Sequence, residues 1–144
     1  MEHITYTKAT VMAIVGCIGG AVSSIYGGWS AAMTTLLLFM AVDYVTGLVV
    51  AGVFRASDKT PGGGLESRAG WKGLCRKGMT LLIVLIAAQL DSVLGTAFVR
   101  DTVVIGYIVN ETISIIENAG LMGLPVPEAL MRAIETLQSK EGKA

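Results

Sequence analysis

The stretch SAAMTTLLLFMAVDYVTGLVVAGVF, Ser30 to Phe54, decides the fold: 25 residues with one charge, Asp43, inside an otherwise apolar run. A helix that crosses the roughly 30 Å hydrocarbon layer needs about 20 mainly apolar residues. Ser30–Phe54 meets that length without a proline, so it reads as a membrane-spanning helix rather than a strand or a soluble core segment.

Working outward, Ala9 to Tyr26 is a second apolar block, and Gly27-Gly28-Trp29 is the short turn between the two. An aromatic at such a turn suits the membrane interface. Beyond Phe54 the chain changes character. Residues 55–78 contain Pro61-Gly62-Gly63-Gly64 and a run of basic side chains, and read as a solvated loop. A third block, 79–99, holds Gln89 and Asp91 and ends at Arg100-Asp101. A fourth and more polar block covers 102–124 and stops at Pro125-Val126-Pro127. Residues 127–138 follow as a short amphipathic helix, with Leu130, Ile134 and Leu137 on one face. The expectation is one all-α, polytopic membrane domain over 1–144, with about four hydrophobic helices (9–26, 30–54, 79–99, 102–124) and the C-terminal amphipathic helix.

Composition agrees. Of 144 residues, 53% are hydrophobic and 15% charged, with a mean hydropathy of +0.65; a soluble domain carries about 25% charged residues. The first block lacks a cleavage site followed by a polar mature region, so it reads as a permanent span, not a signal peptide. Basic residues set orientation, because cytoplasmic loops are rich in Lys and Arg. Residues 55–78 hold six of the eleven: Arg55, Lys59, Arg68, Lys72, Arg76 and Lys77. With four crossings, ten basic residues fall inside and only Arg100 outside; with three, the division is seven to four. Both termini are therefore expected in the cytoplasm.

No enzyme is indicated. The single histidine, His3, and the two cysteines, Cys17 and Cys75, form no metal-ligand spacing, and no nucleophile has a plausible base. The glycine-rich loop lacks the Gly-Lys-Ser/Thr ending of a phosphate cradle. The zero net charge gives no reason to expect nucleic acid as a partner. No catalytic, cofactor-binding or metal-binding residue is assigned, and no cofactor is expected.

What remains is polarity inside apolar blocks. Asp43, Asp91, Glu111 and Glu117 have no lysine or arginine deep in any block to pair with, and a charge at the bilayer centre costs about 2.5–3.5 kcal/mol on insertion scales. Each is expected near an interface, facing water, or neutral. Asn110, Ser114, Glu117 and Leu121 recur at helical spacing and mark a narrow polar stripe, with Glu111 and Asn118 beside it. These membrane-embedded polar groups are pore candidates. Gly16, Gly20, Ser24 and Gly28, every fourth residue, form a small-residue stripe of the kind that lets helices approach closely, within the hairpin or between subunits.

Asp43-Tyr44-Val45-Thr46-Gly47, at the end of an apolar helix, resembles the Asp-x-x-Thr-Gly signature of the toxin-secretion/phage-lysis holin family. Gly70-Trp71-Lys72-Gly73 with Arg76-Lys77 is similar to that family's small and basic segment. Leu90-Asp91, then Asn110-Glu111-Thr112-Ile113-Ser114-Ile115-Ile116-Glu117-Asn118-Ala119, then Gly123-Leu124-Pro125-Val126-Pro127, follow in the family's order. The resemblance runs from about Val42 to Leu130. It implies a bacteriophage holin in the host cytoplasmic membrane. Such a protein homo-oligomerises among membrane lipid into lesions at lysis, and serves an endolysin functionally rather than by direct contact. The alternative class is a small membrane channel or transporter. Such a protein commonly has paired breaks in its helices around a midplane site, and paired Gly/Pro interruptions are not found here.

Overall fold

The computed structural model describes residues 2–141, and these are all-helical: α1 (Glu2–Ile25), α2 (Ala31–Val49), α3 (Ser67–Leu94), α4 (Phe98–Leu121) and α5 (Glu128–Glu141), with no strand among them. One π-helical turn, Val50–Phe54, extends α2. Three helices are long and apolar enough to cross a membrane: Thr5–Ile25, Ala31–Phe54 and Ser67–Leu94. The fourth expected hydrophobic helix, α4, has the length but carries Arg100, Asp101, Glu111 and Glu117, and so differs in composition from the other three.

Helix boundaries follow local chemistry. Ser30 caps α2, its hydroxyl accepting the Met33 N–H at 3.2 Å, as an N-cap serine should. Trp29 donates its indole N–H to Thr34 and ties the turn to the helix it opens. The π-turn ends at Arg55 in a left-handed conformation, φ 51°. Gly63 is also left-handed, and a Cβ there would lie 2.2 Å from the Arg55 carbonyl oxygen, so only glycine fits this close approach. Gly95, at φ 69°, ends α3.

The third helix begins at Ser67, not near residue 79. Only 55–66 is loop, and the basic stretch Arg68–Lys77 is helical. Gly70 and Gly73 do not break it. They lie against the Tyr44 ring of α2, which comes within 3.6 and 3.8 Å of where a Cβ would stand. Lys77 is thus about ten residues into a helix, about 15 Å from its start at 1.5 Å per residue.

Helices α2, α3 and α4 make the core. Met33, Leu36 and Met40 of α2 meet Val84 of α3 and Val104 and Ile108 of α4, all buried. α4 is the central element, packed on α2, α3 and α5. α1 stands apart. Among the described residues its only helix contact is with α3, where Gln89 donates to the Ile25 carbonyl at 2.6 Å, and Thr5–Gly20 is exposed throughout. α5 packs on α4 with Ile134 buried. Leu130 is exposed, and the side chain of Leu137 is outside the described residues.

Candidate functional site

Polar residues of the three core helices gather in two clusters, one running from the middle of α4 towards its C-terminal end and one at its start.

The first joins all three helices. Lys77 of α3 donates to Asp43 of α2 at 2.8 Å and to Glu111 of α4 at 2.5 Å, with these side chains only 13%, 12% and 7% exposed. Asn118, two turns further along α4, donates to the Asp43 carboxylate at 3.1 Å, to the Asp43 carbonyl at 3.3 Å and to the Thr46 hydroxyl at 2.9 Å. Thr46 in turn donates to the Val42 carbonyl at 2.9 Å. Two carboxylates around one ammonium leave a formal charge of −1. Burial makes such a cluster sensitive, because losing one member strands the others in a low-dielectric setting.

The second cluster fixes the start of α4. Asp91, buried near the end of α3, accepts the Val99 N–H at 3.1 Å, the Arg100 N–H at 2.8 Å and the Thr96 hydroxyl at 2.6 Å. It satisfies two of the orphan N–H groups of the α4 N-terminus and places its negative charge at the positive end of that helix. Arg100 then reaches across to the turn between α1 and α2, donating to the carbonyls of Tyr26, Gly27 and Gly28 at 2.9, 2.8 and 3.3 Å. Tyr26 donates to the Leu81 carbonyl. This end is a hydrogen-bonded junction of α1, α2, α3 and α4.

The structure therefore supplies partners that the sequence alone did not reveal. Of the four acids expected to lack a basic partner, Asp43 and Glu111 share Lys77. From sequence that lysine reads as part of the solvated loop, because the surrounding glycines and charges mask the helical start at Ser67. Asp91 is held by hydrogen-bond donors. Glu117 is exposed, as is Asn110. The buried polar side of α4 is Glu111 and Asn118, with half-buried Ser114 between them, one residue round the helix from Asn110 and Glu117. Lys77, Thr46, Thr96 and Arg100 are the added members. The clearest available signal for Lys77 was its place one turn ahead of a long apolar run.

The part of the small-residue stripe that lies on α1 faces open space among the described residues, while Gly28, in the turn beyond, offers its carbonyl to Arg100. A Cβ on Gly16, Gly20 or Gly28 would meet no atom within 4 Å, and Ser24 is exposed. No contact inside the hairpin fills the space beside Gly16 and Gly20. Among the described residues no group of His, Cys, Asp and Glu is placed to hold a metal.

Comparison with known proteins places these features in a family. The model of a bacteriophage holin family matches residues 20–139. An uncharacterised protein of Halalkalibacterium halodurans is 41% identical over 149 residues, covering 99% of this chain and 100% of the relative. An uncharacterised 14.9 kDa protein encoded 3′ of nagH in Clostridium perfringens is 34% identical over 144 residues, covering 98% and 100%. A probable holin of Bacillus phage phi105 is 28% identical over 105 residues, 72% of each chain. No solved structure matches.

Proposed function

Because this chain belongs to the bacteriophage holin family, we propose that it acts as a holin, oligomerising in the host cytoplasmic membrane and forming lesions that release an endolysin or a toxin at lysis. The reading is non-enzymatic, and the endolysin is served through the lesion rather than by contact.

One observation carries the reading beyond family membership. Asp43, Glu111, Asp91 and Arg100 are turned inward and satisfied within one chain, the first two by Lys77 against the middle of α4 and the last two by hydrogen bonds at its start, while Glu117 stays exposed. A single chain can then rest in lipid with these polar groups covered. If the helices separate, those groups need water, because unsatisfied polar groups are costly in hydrocarbon. Separation and a wet lesion are thereby coupled. The open stripe of α1 is a second surface, suited to close approach by another copy.

The reading includes four crossings with both termini in the cytoplasm. α4 runs beside α2 from Arg100, at the turn preceding α2, to Asn118, level with Asp43 and Thr46. That is about 27 Å of helix, close to the hydrocarbon thickness. Its charges lie at the ends or against partners, which supports a crossing that composition alone disfavours.

The deciding experiment is inducible expression in bacteria beside a cytoplasmic endolysin. A holin leaves growth unaffected for a delay, then stops it abruptly and clears the culture only when the endolysin is present. Continued growth with the protein abundant in the membrane, or a gradual endolysin-independent slowing, would reject the proposal and favour a channel or transporter.

A further inference from the structure

Between the end of α2, the loop 55–66 and the first turns of α3 lies an open cleft of about 400 Å³. The Lys77 cluster forms part of its lining, but the rest of the cleft is not used by that cluster. Lys59, Lys72 and Arg76 line it, and none makes an ion pair among the described residues. The acids on the same walls do not fully neutralise them: counting Lys77, the lining carries four cations against the carboxylates of Asp43, Glu66 and Glu111, a net charge of +1. The Tyr44 hydroxyl, resting over Gly70, also has no hydrogen-bond partner among the described residues. Three unpaired cations and a free phenol donor thus converge on one cleft.

Its position says what kind of anion reaches it. The cleft opens where two apolar spans, Ala31–Phe54 and Ser67–Leu94, meet a polar loop, and in a bilayer its mouth would lie at the level of the lipid phosphates. Trp71, 66% exposed, stands on the same turns of α3, as aromatics do at the interface. Leu48, Ala51 and Leu65 give the cleft apolar walls beside its basic ones. We propose that this cleft binds the phosphodiester headgroup of an anionic phospholipid, with Lys59, Lys72 and Arg76 holding the phosphate, Tyr44 donating to it, and the apolar wall receiving the glycerol and upper acyl segment. Basic pockets between membrane helices on the cytoplasmic side are suited to such headgroups. The site acts on the resting chain and is independent of whether lesions form.

The test uses the full chain purified in neutral detergent, with lipid retention read by native mass spectrometry. Phosphatidylglycerol should be retained and phosphatidylcholine should not. Lys72→Gln/Arg76→Gln should weaken phosphatidylglycerol binding about 25-fold, from the usual contribution of two basic groups at an anionic surface. Tyr44→Phe, which keeps every charge, should weaken it about fivefold. Arg132→Gln, which removes one basic charge from α5 outside the cleft, should leave it unchanged. Equal retention of the two lipids, or wild-type affinity in both the double variant and Tyr44→Phe, overturns the site. Displacement of phosphatidylglycerol by inorganic phosphate in modest excess also overturns the lipid assignment, because the cleft would then be reading a free anion.

Discussion

Replacing Lys77 by methionine removes the ammonium and keeps the length of the side chain. Two carboxylates are then left facing one another, each having been within 2.8 Å of the same nitrogen. At a separation of about 5 Å and an effective dielectric of about 20, their mutual repulsion is about 3 kcal/mol. Removing one partner of a buried ion pair costs about 3–5 kcal/mol by a similar argument. Lys77→Met should therefore destabilise the bundle by about 3–5 kcal/mol, measured by loss of helicity on titrating dodecyl sulfate into detergent-solubilised protein. The triple variant Asp43→Asn/Lys77→Met/Glu111→Gln has no charge left to strand, and it keeps an acceptor for Asn118 on residue 43. It should recover to within about 1 kcal/mol of wild type, since a well-packed neutral replacement of a buried ion cluster is often close to neutral. If Lys77→Met costs under about 1 kcal/mol, or if the triple variant is no better than the single one, the three side chains do not act as a buried electrostatic unit. In culture, the single variant should trigger lysis earlier, because the contact that closes α2, α3 and α4 on one another is gone.

Three further outcomes follow from the same geometry. Gly20→Leu should weaken chemical cross-linking between copies in the membrane while leaving helicity and thermal unfolding unchanged, since a side chain there meets nothing within the chain; unchanged cross-linking ladders would remove the α1 stripe from assembly. Asp91→Ala should cost about 2 kcal/mol in the same dodecyl sulfate titration, through loss of the α4 cap and the Thr96 bond, with Asp91→Asn milder; no difference from wild type would mean the α4 terminus is held by Arg100 alone. Ile134→Asp places a charge at a buried position on α5, so protease cleavage after Arg132 should be faster in inside-out vesicles; an unchanged rate would count against docking of α5 on α4.

Much of this arrangement was legible because lipid imposes simple rules. Ser30–Phe54 is a helix by length and apolarity alone, and the turn at Gly27-Gly28-Trp29 needed no tertiary information. The start of α3 was not legible. Gly70, Gly73 and Gly78 have low helix propensity, and six basic residues nearby read as loop. What stabilises a helix there is a tertiary contact, Tyr44 over Gly70 and Gly73, and intrinsic propensity gives way to such packing. The polar side of α4 was ambiguous for a geometric reason. Asn110 and Glu117 are seven residues apart, and so are Glu111 and Asn118; the two pairs differ by a rotation of about 100° on a 3.6-residue helix. Periodicity cannot choose between them. The choice is made by Asp43 and Thr46 on α2 and Lys77 on α3, which offer partners to the second pair only.

That choice bears on how a helix as polar as α4 lies in a bilayer at all. One end is tethered by Asp91 and by the reach of Arg100 to three carbonyls; the other is tethered by Lys77 and Asn118. Between them α4 contributes Val104, Ile108 and Val109 to the buried interior. Take away either tether and α4 presents buried charge or bare backbone donors that lipid cannot satisfy. Within the holin reading, the two clusters do different work. The Asp91–Arg100 junction ties α4 to three other helices through backbone groups, so it is a fixed base. The Lys77 cluster is joined mainly through side chains, carries a residual negative charge and lies beside an open cleft from which water can reach it. Helices that part in a hydrated assembly should therefore part first at Lys77 and remain joined at Asp91. Paired spin labels on α2 and α4 test this order: separation at the Lys77 end should precede any change at the Arg100 end, and simultaneous loss of both distances would refute it.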